Sequence, residues 1–271
     1  MLKKIAHNFL YYSGIGGGYK LFSGGLNCVV LAYHRVSPDD KISCRLKDMN
    51  VRPEDFEKQL NYLKSSYCVL PLAELTDKLT KDINSVRNTA AITFDDAYSD
   101  NYEFAFPILK KYGLSATIFV PTAFIESGRQ FRWDESCGSQ ARTLTWKQMK
   151  EMSGQGVSFG AHTHNHLAFF ALEGSQLLDE IIRPKQILEA SLGIKVESLA
   201  YPYGEKKDLN PKAINFIREA GYKSAFTMIQ KKITREDNIF LLPRIGVGGR
   251  DSLATFKLKL FGLVPLRKNK A

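Results

Sequence analysis

The feature that most constrains this fold is a repeated alternation of short apolar runs with stretches of helical periodicity. The apolar runs have the length and composition of buried strands and cover residues 28–34, 69–72, 89–94, 116–120, 157–161, 198–201, 224–228 and 241–245. The helical patterns between them cover residues 53–63, 72–79, 101–112, 145–153, 177–192 and 211–220. This alternation predicts parallel strands joined by helical crossovers. We therefore predict one α/β domain of about seven parallel strands arranged as a β/α barrel.

Residues able to carry chemistry stand repeatedly where a predicted strand ends. Asp95 and Asp96 close one strand, His162 and His166 follow another, and His34 ends a third. In a β/α barrel the carboxyl ends of the strands share one face, so we expect these residues to converge. One carboxylate and two imidazoles can hold a divalent cation and leave room for water and substrate, while a second carboxylate moves a proton. The pattern indicates a hydrolytic metal enzyme.

Each of these signals also has a plainer explanation. An Asp pair often caps a helix or forms an Asx-turn, and His34 could be a satisfied core histidine. Three of the five histidines fall within residues 160–166, which favours the functional interpretation, with His164 beside the ligands rather than among them. The segment Tyr201-Pro202-Tyr203-Gly204 is either a turn built by Pro and Gly or a rigid loop that offers an N–H to an oxyanion and an aromatic wall to a sugar. Residues 126–142 are predicted to form a long loop over the barrel mouth.

The net charge of +10 is explained either by a solvated, lysine-rich surface or by an anionic partner. No basic-aromatic motif of a nucleic-acid module occurs, so nucleic acid is not an expected partner. Both ends combine apolar and basic residues, and they are either plain soluble ends or peripheral contacts with an anionic membrane. The start lacks the unbroken apolar region of a secretion signal, and the four cysteines lack CxxC spacing. We therefore expect reduced thiols and a cytoplasmic location, free or at the inner face of the membrane.

At these motifs the chain resembles the polysaccharide deacetylases, the NodB-type domain of carbohydrate esterase family 4. The TFDD motif of that family stands here as residues 93–96, and its H-[ST]-x-x-H motif as residues 162–166. Its third motif, an Arg-x-Pro-aromatic-Gly loop, corresponds to residues 200–204. The resemblance covers roughly residues 28–250 and implies a distorted (β/α) barrel of the glycoside hydrolase/deacetylase type.

The resemblance also implies roles for individual residues. Asp96, His162 and His166 would bind a divalent metal ion, with Zn²⁺ the first expectation and Ni²⁺, Co²⁺ or Fe²⁺ as alternatives. Asp95 would be the general base that activates water at the metal. The backbone N–H of Tyr203 would stabilise the tetrahedral oxyanion.

Two departures from the family pattern matter. Ala200 occupies the arginine position of the third motif, and we expect Arg244 to take the place of that arginine beside the base. The late Leu-x-His strand, which supplies the general acid, is absent after residue 204. Residues 31–34 resemble that strand moved to the front, as in the circularly permuted branch that acts on poly-N-acetylglucosamine. His34 would then protonate the leaving amine.

The resemblance implies a metal-dependent hydrolase that removes N-acetyl or O-acetyl groups from an amino-sugar polysaccharide or a lipid-linked glycan precursor. Alternatives are a deformylase or amidase that acts on a non-polymeric substrate, and a catalytically silent glycan-binding barrel. The expected division of the chain is a basic and apolar N-terminal segment (1–27), the deacetylase domain (28–250) and a basic C-terminal tail (251–271).

Overall fold

The structure is a computed structural model that describes residues 25–38 and 45–263. The strands in these ranges are β1 (Val29–Tyr33), β2 (Arg35–Val36), β3 (Asn50–Val51), β4 (Cys68–Val69), β5 (Thr89–Phe94), β6 (Ala116–Val120), β7 (Val157–Ala161), β8 (Ser198–Ala200), β9 (Ser224–Phe226) and β10 (Ile245–Gly246). The α-helices are α1 (Pro53–Ser66), α2 (Leu72–Lys81), α3 (Phe106–Tyr112), α4 (Arg132–Ser136), α5 (Trp146–Ser153), α6 (Gly174–Leu192), α7 (Ala213–Glu219) and α8 (Leu253–Phe261).

Most of the strands form one curled parallel sheet. Its order is β10-β1-β5-β6-β7-β8-β9, and β4 pairs with β5 beside this path. Strands β2 and β3 form a separate two-stranded sheet. Helices lie between the successive strands of the large sheet from β1 to β9, as parallel pairing requires. The prediction of a distorted β/α barrel with about seven parallel strands is therefore confirmed.

The pairing register sets which residues meet at the carboxyl edge of the sheet. Strand β1 pairs with β5 so that Tyr33 lies opposite Phe94. The N–H of Asp95 then donates to the carbonyl of Tyr33 at 2.9 Å. Strand β7, which ends at Ala161, lies between β6 and β8. Because these strands are all parallel, the residues that follow β1, β5, β7 and β8 share one edge.

Local sequence signals explain several element boundaries. Thr145 and Gln148 form a capping box at the start of α5. Gly113 ends α3 in the left-handed conformation, with φ of 64°. The helix predicted over residues 101–112 is divided, because residues 101–105 form a π-helical turn before α3 begins. Pro107, which has no N–H to donate to the preceding turn, lies at this junction.

The C-terminal part of the described chain contains a packed helix. Residues Leu253–Phe261 form α8, in which Phe256, Leu258 and Leu260 are buried. Lys259 donates to the carbonyl of Gly246 in β10 at 2.9 Å. These three apolar side chains of α8 therefore pack inside the protein. Of the helices in the described ranges, none combines the length and apolarity needed to cross a bilayer.

Two other expectations concern the chain ends and the cysteines. Residues 1–24 and 264–271 lie outside the described residues, so the three-part division of the chain stays a prediction. Cys137 is disulfide-bonded, which corrects the expectation of reduced thiols at this position. Cys28 and Cys68 carry free thiols.

Candidate active site

The carboxyl edge of the sheet brings Asp96, His162 and His166 together. Asp96 lies in the loop that follows β5, and the two histidines lie in the loop after β7. One carboxylate oxygen and one ring nitrogen from each histidine all lie within 4.8 Å of one another, and all three residues are buried. Asp96 Oδ1 is 3.6 Å from His162 Nε2 and 3.2 Å from His166 Nε2. Residues far apart in sequence thus form one group that could hold a metal ion.

The backbone fixes the tautomer of His162. Its Nδ1 lies 2.8 Å from the carbonyl oxygen of Ala200, which can only accept a hydrogen bond. Nδ1 therefore carries the proton, and Nε2 presents a lone pair toward Asp96. Burial lowers the pKa of His162 to about 4, although the nearby Asp95 charge acts in the opposite direction. The imidazole is therefore neutral at pH 7, as a metal ligand must be.

The Asp96 carboxylate completes a donor set suited to a divalent cation. Burial raises the pKa of Asp96, but the interactions of its carboxylate with His166 and the other nearby histidines together lower the pKa by more than burial raises it. The net shift is therefore downward. Among the described residues, no donor hydrogen-bonds to the buried Oδ1 of Asp96. An ionised, buried oxygen that faces two imidazole nitrogens needs a positive partner. The residues present therefore fit a divalent cation with one carboxylate and two histidine ligands.

Asp95 and Arg244 form a buried, two-pronged ion pair beside this group. Arg244 Nη1 and Nη2 donate to Asp95 Oδ1 and Oδ2, each at 2.7 Å. Arg244 is fully buried and also donates to Thr93 Oγ1 and to the carbonyl of Thr227, both at 3.1 Å. Burial alone raises the pKa of Asp95, yet the Arg244 charge holds the pKa well below its usual range. Arg244 precedes β10, so strand order brings it to Asp95 across β1.

His34 follows β1 at the same edge and is only partly buried. The carbonyl of His34 accepts a hydrogen bond from Asn101 Nδ2 at 2.9 Å, and a charge on the imidazole would lower the pKa of both Asp95 and Asp96. The next residue, Arg35, is clamped to Asp100 by an ion pair of 2.6 Å between Nε and Oδ2. The backbone on both sides of His34 is therefore held against the loop that follows β5.

An aromatic rim borders His166. The Trp133 and Tyr203 rings pack edge-on against the His166 imidazole, with centroid distances of 5.3 and 5.1 Å. Trp133 stacks on Phe131, and its indole N–H donates to Tyr98 Oη at 2.8 Å. Trp133 lies in α4, a short helix within the predicted loop of residues 126–142. Tyr203 is 52% exposed, so the rim presents an aromatic face to solvent next to the ligand group.

In the loop of residues 201–204, some side chains belong to the core and Tyr203 lies beside the ligand group. The Tyr201 side chain is buried, and its hydroxyl donates to the carbonyl of Phe240 at 2.9 Å. The prediction that Tyr201 contacts substrate is therefore wrong for its side chain, because a core contact occupies the hydroxyl. Pro202 is buried beside it. Tyr203 has φ of 60°, and its N–H donates to no acceptor within residues 25–38 and 45–263.

The remaining histidine of the cluster lies outside the ligand group. His164 Nδ1 is 2.8 Å from Thr122 Oγ1. Its backbone N–H donates to the carboxylate of Glu180 at 2.9 Å. His164 therefore stabilises the loop that carries the two candidate ligands.

Sequence reasoning missed three residues at this site. Asp100, which clamps Arg35, follows the Asp95-Asp96 pair by a few positions and could have been noted as a third nearby carboxylate. Trp133 lies in the loop predicted over the mouth, where an aromatic residue is itself a signal. Glu180 lies in the middle of a predicted helix, and no sequence feature distinguishes it from a surface residue.

Comparison with known proteins shows which family and which solved structures the chain resembles. The polysaccharide deacetylase family profile matches residues 82–237. The chain is 27% identical over 238 residues to the poly-beta-1,6-N-acetyl-D-glucosamine N-deacetylase of Staphylococcus aureus, with 81% of this chain and 78% of that protein covered. It resembles the Streptococcus pyogenes deacetylase PplD in complex with acetate, with a TM-score of 0.73, 28% identity, and coverage of 86% of this chain and 97% of that one. It also resembles IcaB from Ammonifex degensii, with a TM-score of 0.70, 25% identity, and coverage of 88% and 97%.

The family match and these relatives support a hydrolase that acts on carbon–nitrogen bonds. The family profile covers more than half of the chain. The chain belongs to the polysaccharide deacetylase family.

Proposed function

We propose that this enzyme removes N-acetyl groups from an amino-sugar glycan at the carboxyl edge of its sheet. The observation that carries the proposal is the convergence of Asp96, His162 and His166 within 4.8 Å of one another, directly beside the Asp95–Arg244 pair. A bound divalent cation, with Zn²⁺ the first candidate, would supply Lewis-acid polarisation of water and of the amide carbonyl. The chain itself supplies the groups that move protons and hold charge.

Asp95 is the proposed general base. Both of its oxygens accept hydrogen bonds from Arg244, which keeps the carboxylate ionised although it is buried. An ionised carboxylate can take a proton from water as the oxygen attacks the acetyl carbon. Arg244 holds the carboxylate plane in one orientation, because a guanidinium that donates two parallel bonds permits little rotation.

His34 and Tyr203 are proposed to complete the reaction. The attack produces a tetrahedral carbon that bears a negative oxygen, and the Tyr203 N–H is available to donate to that oxygen. Breaking the carbon–nitrogen bond then requires a proton on the departing nitrogen, which the His34 imidazole can supply. The products are acetate and a free amino sugar. O-deacetylation would use the same groups and release a hydroxyl.

The proposed substrate class rests on the aromatic rim and on the relatives. Trp133 and Tyr203 present ring faces and edges beside the ligand group, which suits the apolar face of a sugar ring. A relative with 27% identity is named for deacetylation of poly-beta-1,6-N-acetyl-D-glucosamine. We therefore propose a polymer or oligomer of N-acetylated amino sugars, with a lipid-linked precursor of the same chemistry as the alternative.

The test is acetate release from a panel of N-acetylated oligosaccharides and lipid-linked N-acetylated sugars. Each substrate is assayed with the protein as purified, after chelation, and after addition of single divalent cations. We expect release from at least one saccharide, loss on chelation and recovery with Zn²⁺, Co²⁺ or Ni²⁺. Release from none of the panel, with every cation tried, would overturn the proposed function. Release of formate from N-formylated analogues would instead indicate that the enzyme is a deformylase.

A further inference from the structure

Glu180 is a buried carboxylate whose hydrogen bonds all go to the histidine loop. It lies in α6 and is 2% exposed. Its Oε2 accepts the backbone N–H groups of His164 at 2.9 Å and of Asn165 at 2.8 Å. Its Oε1 accepts from Asn165 Nδ2 at 2.6 Å. Within the described part of the chain, no lysine or arginine forms an ion pair with Glu180, so backbone and amide donors alone stabilise it.

The loop that Glu180 holds has an unusual backbone. Thr163 and His166 both adopt positive φ, 60° and 56°, which non-glycine residues rarely do. Such conformations cost free energy and persist only where the surroundings fix them. The N–H of Leu167 donates to Thr163 Oγ1 at 3.3 Å and closes the turn. Glu180 binds the segment between the two strained positions.

The two histidine ligands differ in how they are held. His162 is fixed directly, because its Nδ1 donates to the carbonyl of Ala200. For His166, no such hydrogen bond at Nδ1 occurs within residues 25–38 and 45–263; its ring contacts aromatic neighbours and His162, and its Nε2 faces Asp96 Oδ1. The placement of His166 therefore depends on the backbone of the loop, which Glu180 fixes.

We propose that Glu180 is a positioning residue that sets the cation affinity of the site by fixing His166 relative to His162 and Asp96. This inference rests on the proposed metal site. Only a carboxylate can accept on both oxygens, and a glutamine of the same shape would turn an NH₂ group toward donors on one side. The mismatch would release the loop, and outer residues of this kind typically change metal affinity by about 10- to 100-fold.

The experiment compares Glu180→Gln with wild type and with Asp179→Asn, using full-length protein. Asp179 is the neighbouring carboxylate on α6, is half exposed and forms a surface ion pair with Arg183. The readout is the dissociation constant for Zn²⁺, measured by competition with a chromophoric chelator. Thermal unfolding of the chelated proteins is measured alongside it, and kcat is recorded at saturating Zn²⁺.

We expect the Zn²⁺ dissociation constant of Glu180→Gln to rise about 10- to 100-fold, while Asp179→Asn stays within about twofold of wild type. Saturating Zn²⁺ should restore most of the kcat of Glu180→Gln, since the residue touches no reacting atom. An unchanged dissociation constant in a folded Glu180→Gln protein overturns the inference. If wild type itself binds no cation, the proposed function fails first, so the two failures are distinguishable.

A second variant keeps the inference testable if Glu180→Gln does not fold. Asn165→Ala removes the Nδ2 group, which is one of the three donors to Glu180, from a partly exposed position. The Zn²⁺ dissociation constant should rise several-fold in this variant, less than in Glu180→Gln. A dissociation constant equal to that of wild type in Asn165→Ala would also count against the inference.

Discussion

The ion pair between Arg244 and Asp95 gives the sharpest prediction about the chemistry. Arg244→Met removes a fully buried guanidinium that donates four hydrogen bonds, two of them to the proposed base. Removing one partner of a buried ion pair typically costs about 3–5 kcal/mol, because the other charge is left without compensation. At 1.36 kcal/mol per tenfold change, this cost corresponds to a decrease in kcat of about 10²- to several 10³-fold if it falls on the ionised base.

The pH dependence should change in a defined direction. Burial raises the pKa of Asp95, and the Arg244 charge is the main effect that opposes it. Without Arg244 the pKa of Asp95 rises, so a smaller fraction of the base is ionised at low pH. The acid limb of the kcat profile should therefore shift to higher pH in Arg244→Met. Arg244→Lys keeps the charge but not the paired geometry, so its acid limb should lie between those of wild type and Arg244→Met.

The assay combines acetate release with bound-cation content and thermal unfolding. Arg250→Met is the matched control, because Arg250 is 59% exposed in its side chain and pairs with Asp48 at the surface. Such a surface pair is worth about 0–1 kcal/mol, so the control should keep its turnover. If Arg244→Met is folded, holds its cation and turns over within threefold of wild type, the proposed role of Arg244 is refuted.

Three further predictions concern single side chains. His34→Gln should lower kcat by about 10²- to 10⁴-fold with cation content unchanged, as loss of a general acid requires; a normal kcat would exclude His34 as the acid. Trp133→Ala should raise KM about 2- to 10-fold and leave kcat nearly unchanged, since an aromatic contact of this kind is worth about 0.5–1.5 kcal/mol; an unaltered KM would remove Trp133 from the substrate surface. Cys28 is fully buried, and burial raises the pKa of its thiol to about 11, so in the folded protein iodoacetamide should alkylate the exposed Cys68 at pH 8.5 and leave Cys28 unmodified; equal labelling of both thiols at pH 8.5 would contradict the structure.

The residues nearest the proposed chemistry could be predicted because each sits in a local sequence pattern. Asp95 and Asp96 follow an apolar strand, and His162 and His166 follow another, so strand order alone brings them to one edge. The position of Arg244 could not be predicted from a local pattern, because its contact with Asp95 depends on the pairing of β10 with β1. That contact was expected only from the missing arginine at residue 200.

Other features could not be predicted because tertiary packing decides them. Glu180 resembles a surface helix residue until the loop after β7 folds onto it. Helix α8 carries Lys257 and Lys259, and this charge made residues 251–271 resemble a tail. In the structure Lys259 bonds to β10 and Lys257 lies over the Tyr62 ring, so both basic residues contribute to packing. Strands β2 and β3 have two residues each, too few for a periodic signal.

The proposed cation site is tested most directly by a titration of the chelated enzyme with Zn²⁺, in which bound cation and acetate release are measured in the same samples. We expect one tightly bound ion per chain, with activity rising in proportion to occupancy. Both signals should be lost in Asp96→Ala and in His162→Ala. Full acetate release from thoroughly chelated protein, or unchanged Zn²⁺ binding in both variants, would contradict the proposed site.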